Sequence, residues 1–162
     1  MLSRCGSRPR TFPCGFLQNI RIVDGMTHAA LCRMAIPLIY KDLDAWKQAM
    51  DLVEQCYRLS KRFPRDERFG LTSQLRRAAV SIPSNVAEGH CRRKTRVYAH
   101  HISIALGSHG ELETLIELAD RLGFLLRTDR HGLQERCDSV GRLLSGLFRS
   151  LEDKVGRDTS RR

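Results

Sequence analysis

The sequence predicts an all-α fold, an antiparallel up-down-up-down four-helix bundle over residues 40–154 with disordered tails at 1–39 and 155–162. Three observations predict it. Apolar residues recur in alternating steps of three and four along four separate stretches, which is the spacing of one helix face. Proline, glycine or polar turns leave only short connections between the stretches, and comparable helices so joined pack antiparallel. Nothing follows the period of two that marks a strand.

The first helix is expected from Asp42 to Arg62, on the stripe Leu43, Trp46, Met50, Val53, Tyr57 and Ser60. Asp42 and Asp44 in its first turn and Lys61 and Arg62 in its last match the macrodipole, and Phe63-Pro64 ends it. The second runs from Glu67 to Glu88 on Leu71, Leu75, Ala78, Ile82 and Asn85; Ala79, Val80 and Val86 imply burial on more than one side. Pro83 removes a backbone donor and crowds the Ala79 carbonyl, so a kink or break is expected there, with Gly89 as the stop. The third runs from Lys94 to Leu122 on Tyr98, Ile102, Ala105, His109, Leu112, Ile116 and Ala119. Gly107, Ser108 and Gly110 interrupt it; each glycine costs a helix about 1 kcal/mol relative to alanine, so close approach of a neighbouring backbone is the expected reason for them. Gly123 or the Arg127-Thr128-Asp129 turn closes this helix. The fourth runs from Asp129 to Lys154 on Leu133, Cys137, Val140, Leu144, Leu147 and Leu151.

The 162 residues carry a net charge of +10 and a pI near 9.9. That balance favours polyanionic partners, nucleic acid before an acidic membrane surface. Much of the excess lies outside the bundle: residues 40–153 hold 19 basic against 16 acidic side chains. Aromatics at 6% with one tryptophan argue against a stacking platform for unpaired bases. No apolar run reaches the ~18 residues of a membrane span. Residues 1–39 lack the apolar run of a secretion signal, so a cytoplasmic protein is expected. Met34 opens Met-Ala-Ile-Pro-Leu-Ile-Tyr just ahead of the first periodic helix, and natural translation is expected to begin there.

The six cysteines (5, 14, 32, 56, 91 and 137) form no Cys-x-x-Cys pair and no zinc-finger spacing. No metal, disulfide or cofactor is expected; Cys56 and Cys137 fall on apolar faces, where a thiol acts as a small hydrophobe. The histidines show no companion carboxylate or nucleophile in a triad-like pattern, and phosphate-loop and metalloprotease motifs are missing. A non-enzymatic protein is expected.

The segment from Arg76 to His90 is the most unusual in the chain. Ser81, Asn85 and Glu88 form a polar row beside an apolar stripe. It reads either as a recognition row or as hydrogen bonds to backbone freed by Pro83, and the second is expected. Arg76, Arg77, Arg92, Arg93, Lys94 and Arg96 cluster with Glu88 as the one acid among them. They are the best candidates for phosphate contact; the same guanidinium forks suit Glu111, Glu113 or Glu117 of a neighbouring helix or chain.

The runs Tyr40-Lys41-Asp42-Leu43-Asp44-Ala45-Trp46, Phe63-Pro64 and Glu67-x-Phe69-Gly70-Leu71 resemble the four-helix-bundle proteins encoded in 23S rRNA intervening sequences. The resemblance continues through Gln74–Gly89, with Ser-Ile-Pro-x-Asn-x-Ala-Glu-Gly its most specific run, and through Ala105–Glu113, where Glu111 belongs to the motif. It implies a small bacterial bundle protein, similar also to the accessory variability protein of diversity-generating retroelements. By that likeness the chain is expected to be a homo-oligomer (a pentamer) that binds RNA or DNA and a reverse transcriptase-like partner. Two positions depart from the pattern: Leu106 replaces a basic residue and His101 an aromatic or aliphatic one. Two functions from different classes follow, namely nucleic-acid binding by an oligomeric bundle and a protein–protein scaffold. In the scaffold, Gly107, Gly110 and the acidic row Glu113, Glu117 and Asp120 serve assembly alone.

Overall fold

A computed structural model of the chain describes residues 39–160. They form four helices, α1 (Asp44–Ser60), α2 (Leu71–Cys91), α3 (Thr95–Arg121) and α4 (Arg127–Ser160), with 3₁₀ turns at Tyr40–Asp42 and Arg65–Arg68. No strand occurs among the described residues. The helices pack as a ring: α1 touches α2 and α4, and α3 touches the same two. With connections this short, the ring is the predicted antiparallel bundle. The expectations for residues 1–38, including the start at Met34 and Cys5, Cys14 and Cys32, lie outside the described residues.

Leu52, Leu75, Ile82, Ile102, Leu112, Ile116, Leu133 and Leu144 fill the interior, each removed from solvent. Burial of one such side chain contributes about 1.5–3 kcal/mol relative to exposure. The stripes predicted on α2, α3 and α4 face this core. On α1 the core face lies one position round from the predicted stripe, at Ala45, Ala49, Leu52, Cys56 and Leu59. The bulky Leu43, Trp46 and Val53 flank the core instead, and Tyr57 is 42% exposed. Small residues at 45 and 49 let α1 sit close to its neighbours.

Helix α2 begins at Leu71 rather than Glu67, because residues 65–68 form the 3₁₀ turn. From that turn Glu67 Oε2 accepts the Leu71 backbone N–H at 2.9 Å, meeting one of the donors a helix start leaves open. Gly70 leaves room for that carboxylate: a β-carbon there would lie 2.6 Å from Glu67 Oε2. The helix then runs unbroken through Pro83, so of the expected kink or break, the break does not occur. Pro83 and Ala79 are both buried, and packing offsets the ~3 kcal/mol cost of an interior proline. Ser84 Oγ donates to the Val80 carbonyl at 2.8 Å and Asn85 Nδ2 to the Ser81 carbonyl at 2.9 Å.

The glycines act differently from expectation. Gly89 does not stop α2, which continues to Cys91; the backbone turns at Arg93, with φ +54°. A β-carbon at Gly89 would lie 2.7 Å from both His101 Cβ and Tyr98 Cδ2, so Gly89 permits a close approach of α2 and α3. Gly107 and Gly110, by contrast, have open space where side chains would stand, and no neighbouring helix crosses there. Gly123 closes α3 at φ +73°. Its N–H bonds Asp120 O and that of Phe124 bonds Ala119 O, both at 2.9 Å, the paired bonds of a Schellman cap. Finally, α4 extends to Ser160, so residues 155–160, expected in a disordered tail, are helical.

Candidate nucleic-acid interface

The polar row on α2 is a bridge to α3. Ser81 Oγ and Ser108 Oγ lie 2.8 Å apart. Asn85 Nδ2 also donates to Ser81 Oγ at 3.2 Å, and Asn85 Oδ1 faces His101 Nδ1 at 3.2 Å. An amide oxygen can only accept, so His101 Nδ1 carries the proton. His101 Nε2 lies 4.0 Å from Glu88, and Arg92 donates to Glu88 Oε1 at 2.7 Å. The row thus joins the helices as well as bonding local backbone, with Ser108 and His101 its links on α3. The Arg92 hydrogen bond, with the His101 charge second, holds the Glu88 carboxyl below its ordinary value.

The six basic candidates occupy two places. Arg76 and Arg77 lie in the first third of α2, about 22 Å of helix (~1.5 Å per residue) from the α2–α3 turn. Arg76 is half-buried: its Nε donates to Ser60 Oγ at 2.8 Å, and its guanidinium lies 4.9 Å from the Tyr57 ring centre. Both arginines line a groove of about 900 Å³ together with Tyr57, Arg68, Phe69 and Glu111. Phe69 is 86% exposed there, with Arg68 5.4 Å from its ring centre. This aromatic–arginine groove did not show in the sequence because it draws on α1, the second 3₁₀ turn, α2 and α3.

Arg92, Arg93, Lys94 and Arg96 are all exposed at the turn. Arg92 makes a surface pair with Glu88, a type that contributes little to stability. Arg93, Lys94 and Arg96 make no ion pair among the described residues. The carboxylates considered as their partners lie elsewhere: Glu117 pairs with Arg121 and Arg130, and Glu113 lies against His109. No side chain caps the start of α3 at Lys94, so its first backbone N–H groups face the same end. The last turns of α4 reach this end, where Val155, Asp158 and Thr159 line a pocket with Lys94, Thr95 and Arg96.

A second grouping comes from residues far apart in sequence. His109 on α3 and Cys137 on α4 are buried, with Cys137 Sγ 3.5 Å from His109 Nε2 and Glu113 Oε2 3.5 Å from His109 Nδ1. A carboxylate and a thiol therefore do accompany a histidine, contrary to the sequence expectation. The i,i+4 spacing of His109 and Glu113 was visible; the approach of Cys137, 28 residues away, was not. Burial foremost, then the neighbouring Glu113, pushes the Cys137 thiol up to about 12, which keeps it from acting as a thiolate nucleophile.

No helix among the described residues is long and apolar enough to cross a membrane. A comparison with curated proteins gave no match. Among solved structures, the chain is similar to a protein of unknown function from the S23 ribosomal protein family of Bacteroides thetaiotaomicron. The TM-score is 0.60 at 19% identity, covering 64% of this chain and 97% of that one; at this identity the likeness concerns the fold. Residues 41–146 match the family model of the 23S rRNA-intervening sequence proteins, and the chain belongs to that family.

Proposed function

We propose that this protein is a non-enzymatic, cytoplasmic, homo-oligomeric bundle that binds nucleic acid, RNA foremost, through the α2–α3 turn. The observation that carries the proposal is the exposure of Arg93, Lys94 and Arg96 without carboxylate partners among the described residues, beside the uncapped start of α3. Backbone N–H groups at a helix start and arginine forks both suit phosphate oxygens. Arg92, held by Glu88, borders the contact, while Arg76 and Arg77 belong to a separate groove. By family likeness the oligomer is a pentamer and a reverse transcriptase-like protein is its partner; repeating the turn around a ring multiplies a modest charge. The test is single-stranded RNA binding by the R93E/K94E/R96E variant beside an R127E control at the opposite end of the bundle. Loss of binding in the triple variant alone supports the proposal; equal loss in both, or none, removes the turn from consideration.

A second reading, assembly without nucleic acid, is favoured by exposed Phe69 and by the open space over Gly107 and Gly110. Two residues of the acidic row considered for assembly, Glu117 and Asp120, pair with Arg130 within the same chain, which leaves Phe69 and the glycines as its surface. An assembled protein that binds no polynucleotide at low salt would favour this reading.

A further inference from the structure

We propose that the groove along the outer side of α2 binds a nucleoside polyphosphate, with the base stacked on Phe69 and the phosphates taken by Arg76 and Arg77. The site lies apart from the α2–α3 turn and goes beyond the reading of that turn as an RNA contact. Its volume of about 900 Å³ falls within the ~300–1,000 Å³ range of small-molecule sites.

The charges in the groove call for an anion. Arg68, Arg76 and Arg77 line it, and Glu111 is the one carboxylate beside them. The arginine ion pairs among the described residues belong to Arg62, Arg92, Arg121 and Arg130, so three guanidinium groups share this groove without a paired carboxylate. Like charges so placed repel, and an anion between them removes the repulsion. Arg76 is oriented in advance. Its Nε donates to Ser60 Oγ at 2.8 Å, and its guanidinium lies 4.9 Å from the Tyr57 ring centre. These contacts hold the guanidinium and leave its two terminal nitrogens for the forked contact that arginine makes with phosphate. A side chain already held loses less freedom on binding.

The same groove offers a surface to a flat ring. Phe69 is the most exposed large apolar side chain among the described residues. Arg68 lies over the ring, 5.4 Å from its centre, which leaves the opposite face to a base. A single ring serves one base, whereas a run of unpaired bases needs several aromatics. Ser73 and Gln74 also line the groove and supply hydroxyl and amide groups to a sugar or a base edge. Arg76 and Arg77 stand seven and eight residues beyond Phe69, about 10 Å of helix at ~1.5 Å per residue. That span suits a base at one end and a chain of phosphates at the other. A bare phosphate leaves the ring unused, and a phosphorylated tyrosine leaves the hydroxyl and amide groups without partners.

Isothermal titration calorimetry of the full chain with ATP and GTP tests the site, with tripolyphosphate and phosphotyrosine as comparison ligands. At least one nucleotide should saturate at one per chain and bind about tenfold or more tighter than either comparison ligand. Phe69→Ala should weaken that nucleotide by about tenfold and leave tripolyphosphate unchanged, whereas Arg77→Ala should weaken both. Both side chains are exposed, so these variants keep their fold. R93E/K94E/R96E should bind the nucleotide as the unaltered protein does, so failure of the RNA-binding turn and failure of this groove are read separately. No saturable nucleotide binding, equal affinity for a comparison ligand, or full nucleotide affinity in Phe69→Ala overturns the site. Loss of the nucleotide in the triple variant also overturns it and places the ligand at the turn. A fall in oligomeric mass with Phe69→Ala overturns it too and gives the ring to assembly.

Discussion

The hydroxyls of Ser81 on α2 and Ser108 on α3 meet at 2.8 Å, a direct polar tie between two helices. Replacing Ser81 with alanine strands Ser108, whereas Ser108→Ala leaves Ser81 Oγ the Asn85 donor; each loss should cost about 1 kcal/mol. Replacing both removes donor and acceptor together. Chemical denaturation should therefore show the double variant losing less than the sum of the singles; strict additivity would mean that the pair does not interact.

Glycines at the two kinds of position should respond in opposite directions. Alanine at Gly89 must push aside Tyr98 and His101, with a loss of about 1–3 kcal/mol typical of overpacking. Alanine at Gly107 meets nothing within 4 Å and should stabilise α3 by about 0.5–1 kcal/mol through helix propensity. If Gly107→Ala instead lowers the oligomeric mass in light scattering, a second chain approaches there.

Acid should remove one contribution to stability. Glu117 accepts hydrogen bonds from Arg121 at 2.9 Å and Arg130 at 2.6 Å, which hold its carboxyl below the ordinary 4.5. The folded protein therefore releases this proton more readily than the unfolded chain. The stabilisation is present above the ordinary value and is lost as pH falls through the lower, folded-state value. Glu117→Gln should lower Tm at neutral pH, and the gap from the unaltered protein should close in acid. A gap independent of pH would assign the loss to packing.

Thiol labelling should separate the cysteines of the bundle. Cys91 is exposed, whereas Cys56 and Cys137 are buried with thiols pushed up to about 12. Peptide mapping after brief alkylation should find Cys91 modified and the other two protected until the protein unfolds. Early labelling of Cys137 would show that α3 and α4 part in the native state.

The architecture was legible because period and proline positions are local signals. Leu133 to Leu151 keep their register on α4, and Gly123 ends α3 by a positive φ that glycine adopts freely. What depended on distant partners was not legible. Gly89 resembles a helix stop in sequence, yet its role is set by Tyr98 and His101 across the α2–α3 contact. Gly107 and Gly110 suggested a crossing helix, which needs a neighbour that the sequence does not name. On α1 the bulky residues marked a plausible stripe, but the close neighbours selected Ala45 and Ala49. The basic candidates were found as residue types; their division between a groove and an exposed turn follows from α2 being one continuous run. Cys137 meets His109 only because α3 and α4 lie side by side.

The most direct test of the proposal that the α2–α3 turn binds phosphate is the salt dependence of single-stranded RNA affinity, measured for the full chain and for R93E/K94E/R96E. Each phosphate contact contributes about −0.7 to the slope of log affinity against log salt. The slope of the triple variant should be shallower by roughly 2 if all three residues reach phosphates. Equal slopes would contradict the account.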